Sequence, residues 1–188
     1  VFKFLHMPVQ SGSERILRKM KRGHTAKIFL DVVKELRKKI PEIAISTDII
    51  TGFPSESERD FEETLSLIEE SQPDVINSSR YSPRPGTLAA KYPRLSTKVV
   101  KERSKRLHTI IRKTTMRRNQ IWYGWKGQIL IDELLDEGKI QGRNYAYKPV
   151  IIEIPGPKKF DPKQLLGQYI SIKVIEISNY SLLGELIS

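Results

Sequence analysis

Cysteine is absent from this sequence of 188 residues. Its absence excludes disulfide bonds, and it excludes metal ions or iron–sulfur clusters held by thiolates of this chain. Long apolar runs are absent as well, so we predict no membrane span, and no basic segment followed by an apolar run indicates a secretory signal. The residues form no Ser–His–Asp set, His-rich pattern or P-loop, and we predict no metal ligand. We therefore expect a cytoplasmic protein.

Acidic residues are too few to balance the basic ones, since 22 Asp and Glu stand against 33 Lys and Arg and leave a net charge of +11. The imbalance lies early in the chain, because residues 124–188 carry eight of each sign. Within residues 96–119, nine basic residues accompany one acid. Such a stripe is typical of a nucleic-acid partner, although a well-solvated surface helix gives the same pattern. We predict RNA contacts from four of its members: Lys105, Arg106, Arg112 and Lys113.

The apolar spacing in the first half of the chain predicts alternating strands and helices. Strands separated by helical crossovers run parallel, so their carboxyl ends emerge on the same face. Three such strands make only part of a barrel or of a doubly wound sheet, and we expect the chain to be part of something larger. The predicted strands are residues 1–9, 43–50 and 74–81, and the predicted helices are residues 14–20, 25–40 and 57–71.

The pattern changes after a proline-rich loop over residues 82–95. A long basic helix over 96–122 is followed by short alternating strands, with turns at 136–138 and 155–157. Closely spaced short strands predict a small closed β-barrel of the oligonucleotide-binding kind. The predicted domains are residues 1–95, a connecting helix 96–123 and a barrel 124–188, whose strands are 125–134, 138–143, 149–154, 169–177 and 182–187.

Polar residues cluster where the predicted strands end. Gln10 and Ser11 follow the first strand, and such groups hold a ribose or an amide better than a metal. Asp48 lies in an otherwise apolar strand, where a charge must either serve a function or pair with a basic neighbour. Arg80 and Arg84 flank the third strand end and could clamp a carboxylate or phosphate, or pair with nearby acids.

A second candidate site lies in the predicted barrel. Arg143, Asn144 and Tyr147 sit together near a strand end. An aromatic ring beside an arginine can stack on unpaired bases, which predicts RNA binding, although ordinary hairpin chemistry explains the same residues equally well.

Three motifs together resemble the radical S-adenosylmethionine methylthiotransferases. The family pattern runs close to LHxPxQSGS, TDIIxGFPGET and YSxRPGTxAA. This chain reads LHMPVQSGS from Leu5, TDIITGFPSES from Thr47 and YSPRPGTLAA from Tyr81. Ser55 and Ser57 replace Gly and Thr but keep the turn and the cap. The sequence around Asn77 is most similar to that of the archaeal and eukaryotic branch, which acts on N6-threonylcarbamoyladenosine in tRNA. Residues 124–188 resemble the TRAM domain.

The resemblance implies the second half of a partial (β/α) radical S-adenosylmethionine barrel followed by an RNA-binding TRAM barrel. It also implies S-adenosylmethionine and two 4Fe–4S clusters as cofactors, with cluster cysteines that this chain lacks, so we expect a fragment that is inactive alone. The implied partners are tRNA, an electron donor and the missing N-terminal part, and the open barrel edge leaves self-association possible. The implied cofactor contacts are Gln10, Ser11, Asp48, Ile50, Gly52 and Tyr81, and the implied substrate contacts are Arg80 and Arg84.

In the intact enzyme, the resemblance implies insertion of sulfur and a methyl group at C2 of the modified adenine. Two alternatives stay open. In the first, the chain acts as an RNA-binding module without catalysis. In the second, the enzyme modifies an aspartate of a ribosomal protein rather than tRNA.

Overall fold

A computed structural model describes residues 1–136, 138–154 and 162–187. The chain divides into an α/β unit, Leu5–Thr115, and a barrel unit, Val1–Phe4 with Met116–Ser188. This division differs from the predicted boundaries at 95 and 123, because most of the basic helix packs with the α/β unit. No helix in the described ranges is both long and apolar enough to cross a bilayer. The turn predicted at 155–157 and Glu137 of the turn at 136–138 lie outside the described residues.

The predicted order of strands and helices in the α/β unit is confirmed. The strands are β1 (Phe4–His6), β2 (Ala44–Thr51) and β3 (Val75–Arg80), and the helices are α1 (Glu14–Lys19), α2 (Ala26–Lys39), α3 (Glu58–Ser71) and α4 (Thr97–Asn119). The sheet order is β1-β2-β3. β2 and β3 run parallel with Asp48 opposite Asn77, and a parallel bridge joins Gln10 to Ile49.

The first strand is shorter and more exposed than predicted. Pairing is confined to three residues, and both Leu5 and His6 are exposed. The prediction of a buried strand over residues 1–9 was wrong, because β1 lies at an edge of the sheet and Pro8 has no N–H with which to extend the ladder. An apolar run identifies a strand without telling how much of it is covered.

The core of the α/β unit lies on one face of the sheet. Ile45 and Ile49 of β2 are at most 1% exposed and belong to one cluster with Phe29 of α2, Phe61 of α3 and Leu107 of α4. Each such side chain stabilises the fold by about 1.5–3 kcal/mol when buried. A one-residue slip of β2 would turn these side chains to the other face, so the core fixes which residues face away from it.

The face of the sheet opposite this core is called the open face here, and it consists of Asp48 and Ile50 of β2 with Asn77 and Ser79 of β3. The paired positions are Asp48 with Asn77 and Ile50 with Ser79. Both β2 residues are half-buried and both β3 residues are exposed. The register therefore places polar groups of neighbouring strands side by side where a ligand can reach them.

The barrel unit is a closed five-stranded barrel in the order β4-β5-β6-β8-β7. Its strands are β4 (Lys126–Leu134), β5 (Lys139–Arg143), β6 (Pro149–Glu153), β7 (Tyr169–Ile177) and β8 (Leu182–Leu186). Alternate residues such as Ile129, Ile140 and Ile172 point inward and are at most 1% exposed. Closure leaves no free edge between the strands, and the predicted small β-barrel is confirmed.

Candidate functional site

Gln10 is held in an uncommon conformation at the end of the first strand. Its φ is +73°, a left-handed value that costs a residue with a side chain about 1–2 kcal/mol. Two backbone bonds keep it there, from Gln10 N–H to the Asp48 carbonyl at 2.8 Å and from Ile50 N–H to the Gln10 carbonyl at 2.9 Å. Its side chain makes no hydrogen bond with any described residue, so the carboxamide remains available to a ligand.

Ser11 has a different role from the one predicted. It is fully buried, its hydroxyl lies 3.2 Å from the Thr64 hydroxyl, and it accepts a 3.1 Å bond from Ser13 N–H. Gly12 N–H also donates to the Thr64 hydroxyl, at 2.9 Å. The Ser11 hydroxyl therefore fastens the turn to α3, and only Gln10 of the predicted pair presents an unused polar group.

Asp48 joins all three strands through one carboxylate oxygen. Its Oδ1 lies 3.1 Å from Nε2 of His6 and accepts a 3.0 Å bond from the side-chain amide of Asn77. The sequence left open that Asp48 pairs with a basic neighbour, and the neighbour that it contacts is His6 on β1. No described residue bonds Oδ2, and the carboxylate is about one-third exposed at 32%. Asp48 therefore faces the open face with one acceptor oxygen fixed and one unused.

Gly52 supports the loop after β2 through its backbone. Its φ is +78°, and a Cβ there would lie 2.8 Å from Val100 of α4. Gly52 N–H donates to Glu56 Oε2 at 3.0 Å, and that buried carboxylate pairs with Arg103 Nη1 at 2.8 Å. Burial raises the pKa of the Glu56 carboxyl, against the opposing effects of the Gly52 N–H and Arg103.

Arg103 and Arg106 belong to this ion-pair network and not to a free basic face. Arg103 is 5% exposed and also donates to Glu58 at 3.1 Å. Arg106 pairs with both Glu58 and Glu62. The prediction that Arg106 binds RNA is not supported, because its charge is already matched within the fold. The acids Glu58 and Glu62 at the start of α3 were the sequence signal for this pairing.

A cleft of about 660 Å³ opens at the carboxyl ends of β2 and β3. Ile50 and Phe53 form an apolar wall, and the ring of Tyr81 stands edge-on to Phe53 with centroids 5.1 Å apart. The Tyr81 hydroxyl is buried without a hydrogen-bond partner among the described residues. A buried hydroxyl normally finds a partner, so the Tyr81 hydroxyl is an unsatisfied polar group in the wall of the cleft.

The cleft is strongly basic, and part of its lining escaped the sequence reasoning. Arg80 and Arg84 were predicted, whereas Lys19, Lys21 and Arg22 at the end of α1 were not singled out. The described residues that line this cleft include no aspartate or glutamate. The five cations therefore create a positive potential with no acid beside them.

Helix α1 ends in a left-handed residue, and this ending fixes the backbone of its last basic residues. Lys21 N–H donates to the Arg18 carbonyl and Arg22 N–H to the Leu17 carbonyl, each at 3.0 Å. This is the Schellman pattern, which requires a left-handed residue, and Lys21 has φ +57° where glycine is usual. The predicted cap Ser13 makes no capping bond and instead donates to Asp60 at 2.6 Å.

A second basic surface lies between β3 and α4. It is a groove of about 730 Å³ whose lining includes Lys98, Lys101 and Lys105. Arg80 also reaches it and donates to the Ser104 hydroxyl at 3.1 Å. Further along α4, Lys113 and Arg112 are exposed, and Arg112 has a partner within the fold. Lys105 and Lys113 keep the exposure that their predicted RNA contact needs.

The barrel unit places Arg143 and Tyr147 together. The Arg143 guanidinium lies over the Tyr147 ring at 4.8 Å and its Nε donates to Asp132 at 2.8 Å. Phe2 and Phe4 extend this cluster, with ring centroids 5.0 and 5.2 Å from that of Tyr147. Tyr147 is 41% exposed, which leaves its ring accessible for stacking.

Asn144 does not share that surface. It is 0% exposed, and its side-chain oxygen accepts bonds from Ala146 N–H at 2.9 Å and Lys148 N–H at 3.0 Å. The predicted RNA contact is wrong for this side chain, because it closes the turn from within. Ordinary hairpin chemistry explains Asn144, while Arg143 and Tyr147 remain on the surface.

Comparison with known proteins shows which proteins the chain resembles. Residues 2–68 match the Radical SAM superfamily. The whole chain is 42% identical to a protein of Pyrococcus horikoshii named "Probable threonylcarbamoyladenosine tRNA methylthiotransferase", of which it covers 42%. It is 39% identical over 98% of its length to the tRNA-2-methylthio-N(6)-dimethylallyladenosine synthase of Vibrio cholerae, of which it covers 38%. Among solved structures, the radical SAM enzyme coproporphyrinogen III oxidase of Escherichia coli matches the whole chain and 46% of its own, with a TM-score of 0.52 and 17% identity.

The chain is therefore similar to radical SAM proteins over residues 2–68, and its fold resembles that of the solved oxidase. The predicted resemblance to the methylthiotransferases is confirmed by relatives of both names. The chain spans about 42% of the length of the Pyrococcus relative.

Proposed function

We propose that the protein to which this chain belongs methylthiolates threonylcarbamoyladenosine in tRNA by radical S-adenosylmethionine chemistry. The observation that carries the proposal is the basic cleft at the carboxyl ends of the parallel strands, beside an open face lined by unused polar groups. Ligands of open α/β sheets bind at that end of the strands. The relatives that match the whole chain are named for tRNA methylthiolation, which favours tRNA over a ribosomal protein as the target.

S-adenosylmethionine fits the residues at this end of the sheet. The carboxamide of Gln10 and the unused oxygen of Asp48 suit the hydroxyls and amines of a nucleoside, and the wall of Ile50 suits its base. The Tyr81 ring, edge-on to Phe53, extends that apolar wall. The bound cofactor supplies the radical and methyl-transfer chemistry, while these residues orient it and exclude water.

Iron–sulfur clusters do not fit the residues of this chain. It has no cysteine, and thiolates are the ligands that hold such clusters. We therefore assign no step through a cluster to these residues. The predicted cluster ligands, the electron donor and the N-terminal part belong to the proposal for the longer protein.

We propose that the barrel unit is a TRAM domain that binds the tRNA. Tyr147, stacked under Arg143 and beside Phe2, offers an exposed aromatic face. A base stacked on such a face gains about 1–3 kcal/mol without sequence selectivity. Lys105 and Lys113 add positive charge for the phosphate backbone, so this chain binds RNA even without catalysis of its own.

The test is mass spectrometry of tRNA nucleosides from a strain that lacks the gene. We expect the 2-methylthio derivative of threonylcarbamoyladenosine to disappear and the wild-type gene to restore it. Asp48→Asn should fail to restore it, because the carboxylate at the open face is lost. Lys38→Gln, on an exposed position of α2, is the matched control and should restore it fully.

Two results would contradict the proposal. Unchanged 2-methylthio nucleosides in the deletion strain would exclude tRNA as the target. Loss of the methylthio group from dimethylallyladenosine alone would keep the reaction and overturn the assigned substrate.

A further inference from the structure

We propose that the groove between β3 and α4 binds the RNA phosphates next to the nucleotide that is modified. The inference rests on the proposed function and deepens it, because it assigns a defined part of the RNA backbone to defined residues. Those residues are Arg80 at the end of β3 and Lys98, Lys101 and Lys105 of α4, all within the α/β unit.

The basic residues of α4 near the groove fall into two groups. Arg103 and Arg106 pair with acids of α3, so their charges are matched within the fold. Lys98, Lys101 and Lys105 line the groove, and their spacing of three and four residues places them on one face of the helix. All three are exposed, and none of them makes a hydrogen bond or ion pair with a described residue. The lysines therefore remain available to an outside anion.

The groove holds more positive charge than its own acid can compensate. Among the described residues that line it, Glu102 is the one acid, and it is exposed and forms no ion pair within the described part of the chain. Arg80 joins the three lysines as a cation without an acidic partner among the described residues. Like charges one helical turn apart, such as those of Lys101 and Lys105, also destabilise the helix. A bound polyanion would relieve both effects.

Arg80 is oriented for a phosphate. Its Nε donates to the Ser104 hydroxyl at 3.1 Å, and that hydroxyl in turn donates to the Val100 carbonyl at 2.9 Å. Neither terminal nitrogen of the guanidinium bonds a described residue. The N–H groups of these two nitrogens suit two oxygens of one phosphate. A side chain that is already held in place also loses less entropy when it binds.

The lining of the groove suits the sugar–phosphate backbone better than a base. Charged residues, Ser104, His108 and Thr109 surround its volume of about 730 Å³. Its described lining contains no phenylalanine, tyrosine, tryptophan or aliphatic residue, so it offers no apolar wall to a base. Contacts to phosphate fix the register of a strand and carry no sequence information. The groove therefore positions the RNA and leaves recognition of the base to other surfaces.

Arg80 connects the groove to the cleft, because it lines both. The cleft is where we place the cofactor, and the reacting nucleoside must come into contact with the cofactor there. The phosphates of that nucleotide then lie at the edge of the cleft, beside Arg80. From there the strand follows α4, where Lys101 and Lys105 lie about 6 Å apart along the helix axis. The groove thus fixes which nucleotide of the strand enters the cleft.

The first test measures how the affinity of this chain for an RNA hairpin depends on salt. The hairpin carries threonylcarbamoyladenosine in its loop, and fluorescence anisotropy reports binding. Arg80→Gln with Lys101→Gln should reduce the slope of log affinity against log salt by about 1.4–1.8. Lys38→Gln with Lys39→Gln removes the same charge from exposed positions of α2 and should leave the slope unchanged. Circular dichroism checks that both double variants are folded.

The second test locates the phosphates. A neutral methylphosphonate replaces one phosphate at a time, either beside the modified nucleotide or in the stem of the hairpin. Beside the nucleotide, the replacement should weaken binding about tenfold, the effect typical of one charged hydrogen bond. In the variant with Arg80→Gln and Lys101→Gln it should have little further effect, because the partners are already gone. Glu102→Gln should strengthen binding of the hairpin with all its phosphates, because it removes the one acid of the described lining.

Three outcomes would overturn the inference, and they are distinguishable. Equal slopes for the two double variants would exclude the groove while RNA binding stands. Additive losses from the methylphosphonate beside the nucleotide and from the groove variant would place those phosphates elsewhere. Absence of any hairpin binding would remove both the RNA binding proposed for this chain and the inference, whereas the nucleosides of the deletion strain test the reaction itself.

Discussion

Arg103 and Arg106 lie one turn apart on α4 and both pair with Glu58, but only one of them is buried. The side chain of Arg103 is 6% exposed and that of Arg106 is 38% exposed. We predict that Arg103→Ala destabilises the α/β unit far more than Arg106→Ala. The two variants remove the same charge from the same helix, so the comparison isolates the effect of burial.

The expected magnitudes follow from what each substitution leaves behind. The carboxylate of Glu56 is 3% exposed in the intact fold, and without Arg103 it keeps only the Gly52 N–H as a partner. Removing one partner of a buried ion pair costs about 3–5 kcal/mol. Arg106 and its partners are exposed to water, so its loss costs about 1 kcal/mol or less.

Urea unfolding followed by two probes gives the measurement. Circular dichroism reports the helices of the α/β unit, whereas the fluorescence of the two tryptophans, Trp122 and Trp125, reports the barrel unit. With a slope of about 1.5 kcal/mol per molar urea, Arg103→Ala should lower the helical midpoint by about 2 M or more. Arg106→Ala should lower it by less than about 0.7 M.

The pH dependence of the Arg103→Ala variant gives a second arm. Burial already raises the pKa of Glu56 above its ordinary value of 4.5, and loss of Arg103 raises it further. The folded state then holds this proton more tightly than the unfolded state, so the contribution of Glu56 to stability rises as the pH falls. The deficit of the variant should shrink toward acid pH, and Glu56→Gln in the same chain should recover much of it at neutral pH.

Equal midpoints for Arg103→Ala and Arg106→Ala would refute this reasoning. So would a deficit of Arg103→Ala that is independent of pH, because it would show that the Glu56 carboxylate is not the group left uncompensated.

Three further predictions concern RNA binding, pH and the loop after β2. Lys105→Ala with Lys113→Ala should reduce the slope of log affinity against log salt by about 1.4–1.8, whereas Arg106→Ala should leave it unchanged; an equal effect of Arg106→Ala would contradict the assigned ion pairs. Burial favours a higher pKa for Asp60, but hydrogen bonds from Arg15, Ser13 and Ser57 outweigh it and hold that pKa well below its ordinary value of 3.8. Asp60→Asn should therefore cost about 2 kcal/mol in urea unfolding near neutral pH, and the difference from wild type should shrink as the pH falls below 3.8; a constant difference would argue against it. Gly52→Ala should destabilise the α/β unit by at least about 1 kcal/mol in the same assay, because of its left-handed φ and the contact with Val100; a neutral result would mean that the loop shifts freely.

The sequence allowed the order of elements and the strand ends to be predicted, because both depend on local patterns. The spacing of Phe29 and Val33 marks α2, and the capping box of Ser57 and Asp60 marks the start of α3. Gln10, Asp48 and Tyr81 were placed near one another because parallel strands end at the same edge of a sheet.

The buried ion pairs, the burial of polar side chains and the lining of the cleft could not be predicted, because they depend on contacts between residues far apart in the chain. Arg103 and Glu56 are 47 positions apart, and nothing local to either indicates that the arginine is buried. Ser11 and Asn144 were chosen for their polar side chains, yet both are buried: Ser11 fastens its turn to Thr64 of α3, and Asn144 closes its own turn. Lys19 lies within the predicted helix 14–20 and Arg22 just beyond it, and only the tertiary fold brings them to the cleft of Tyr81 and Arg84.

At Lys21, the stability of the helix end and the positive charge of the cleft favour different residues. Glycine would occupy its left-handed position without the roughly 1 kcal/mol cost that a side chain incurs there. A laboratory selection for heat resistance alone would therefore favour Lys21→Gly and would remove one cation from the cleft. A selection for binding of an anion in that cleft would favour the lysine again.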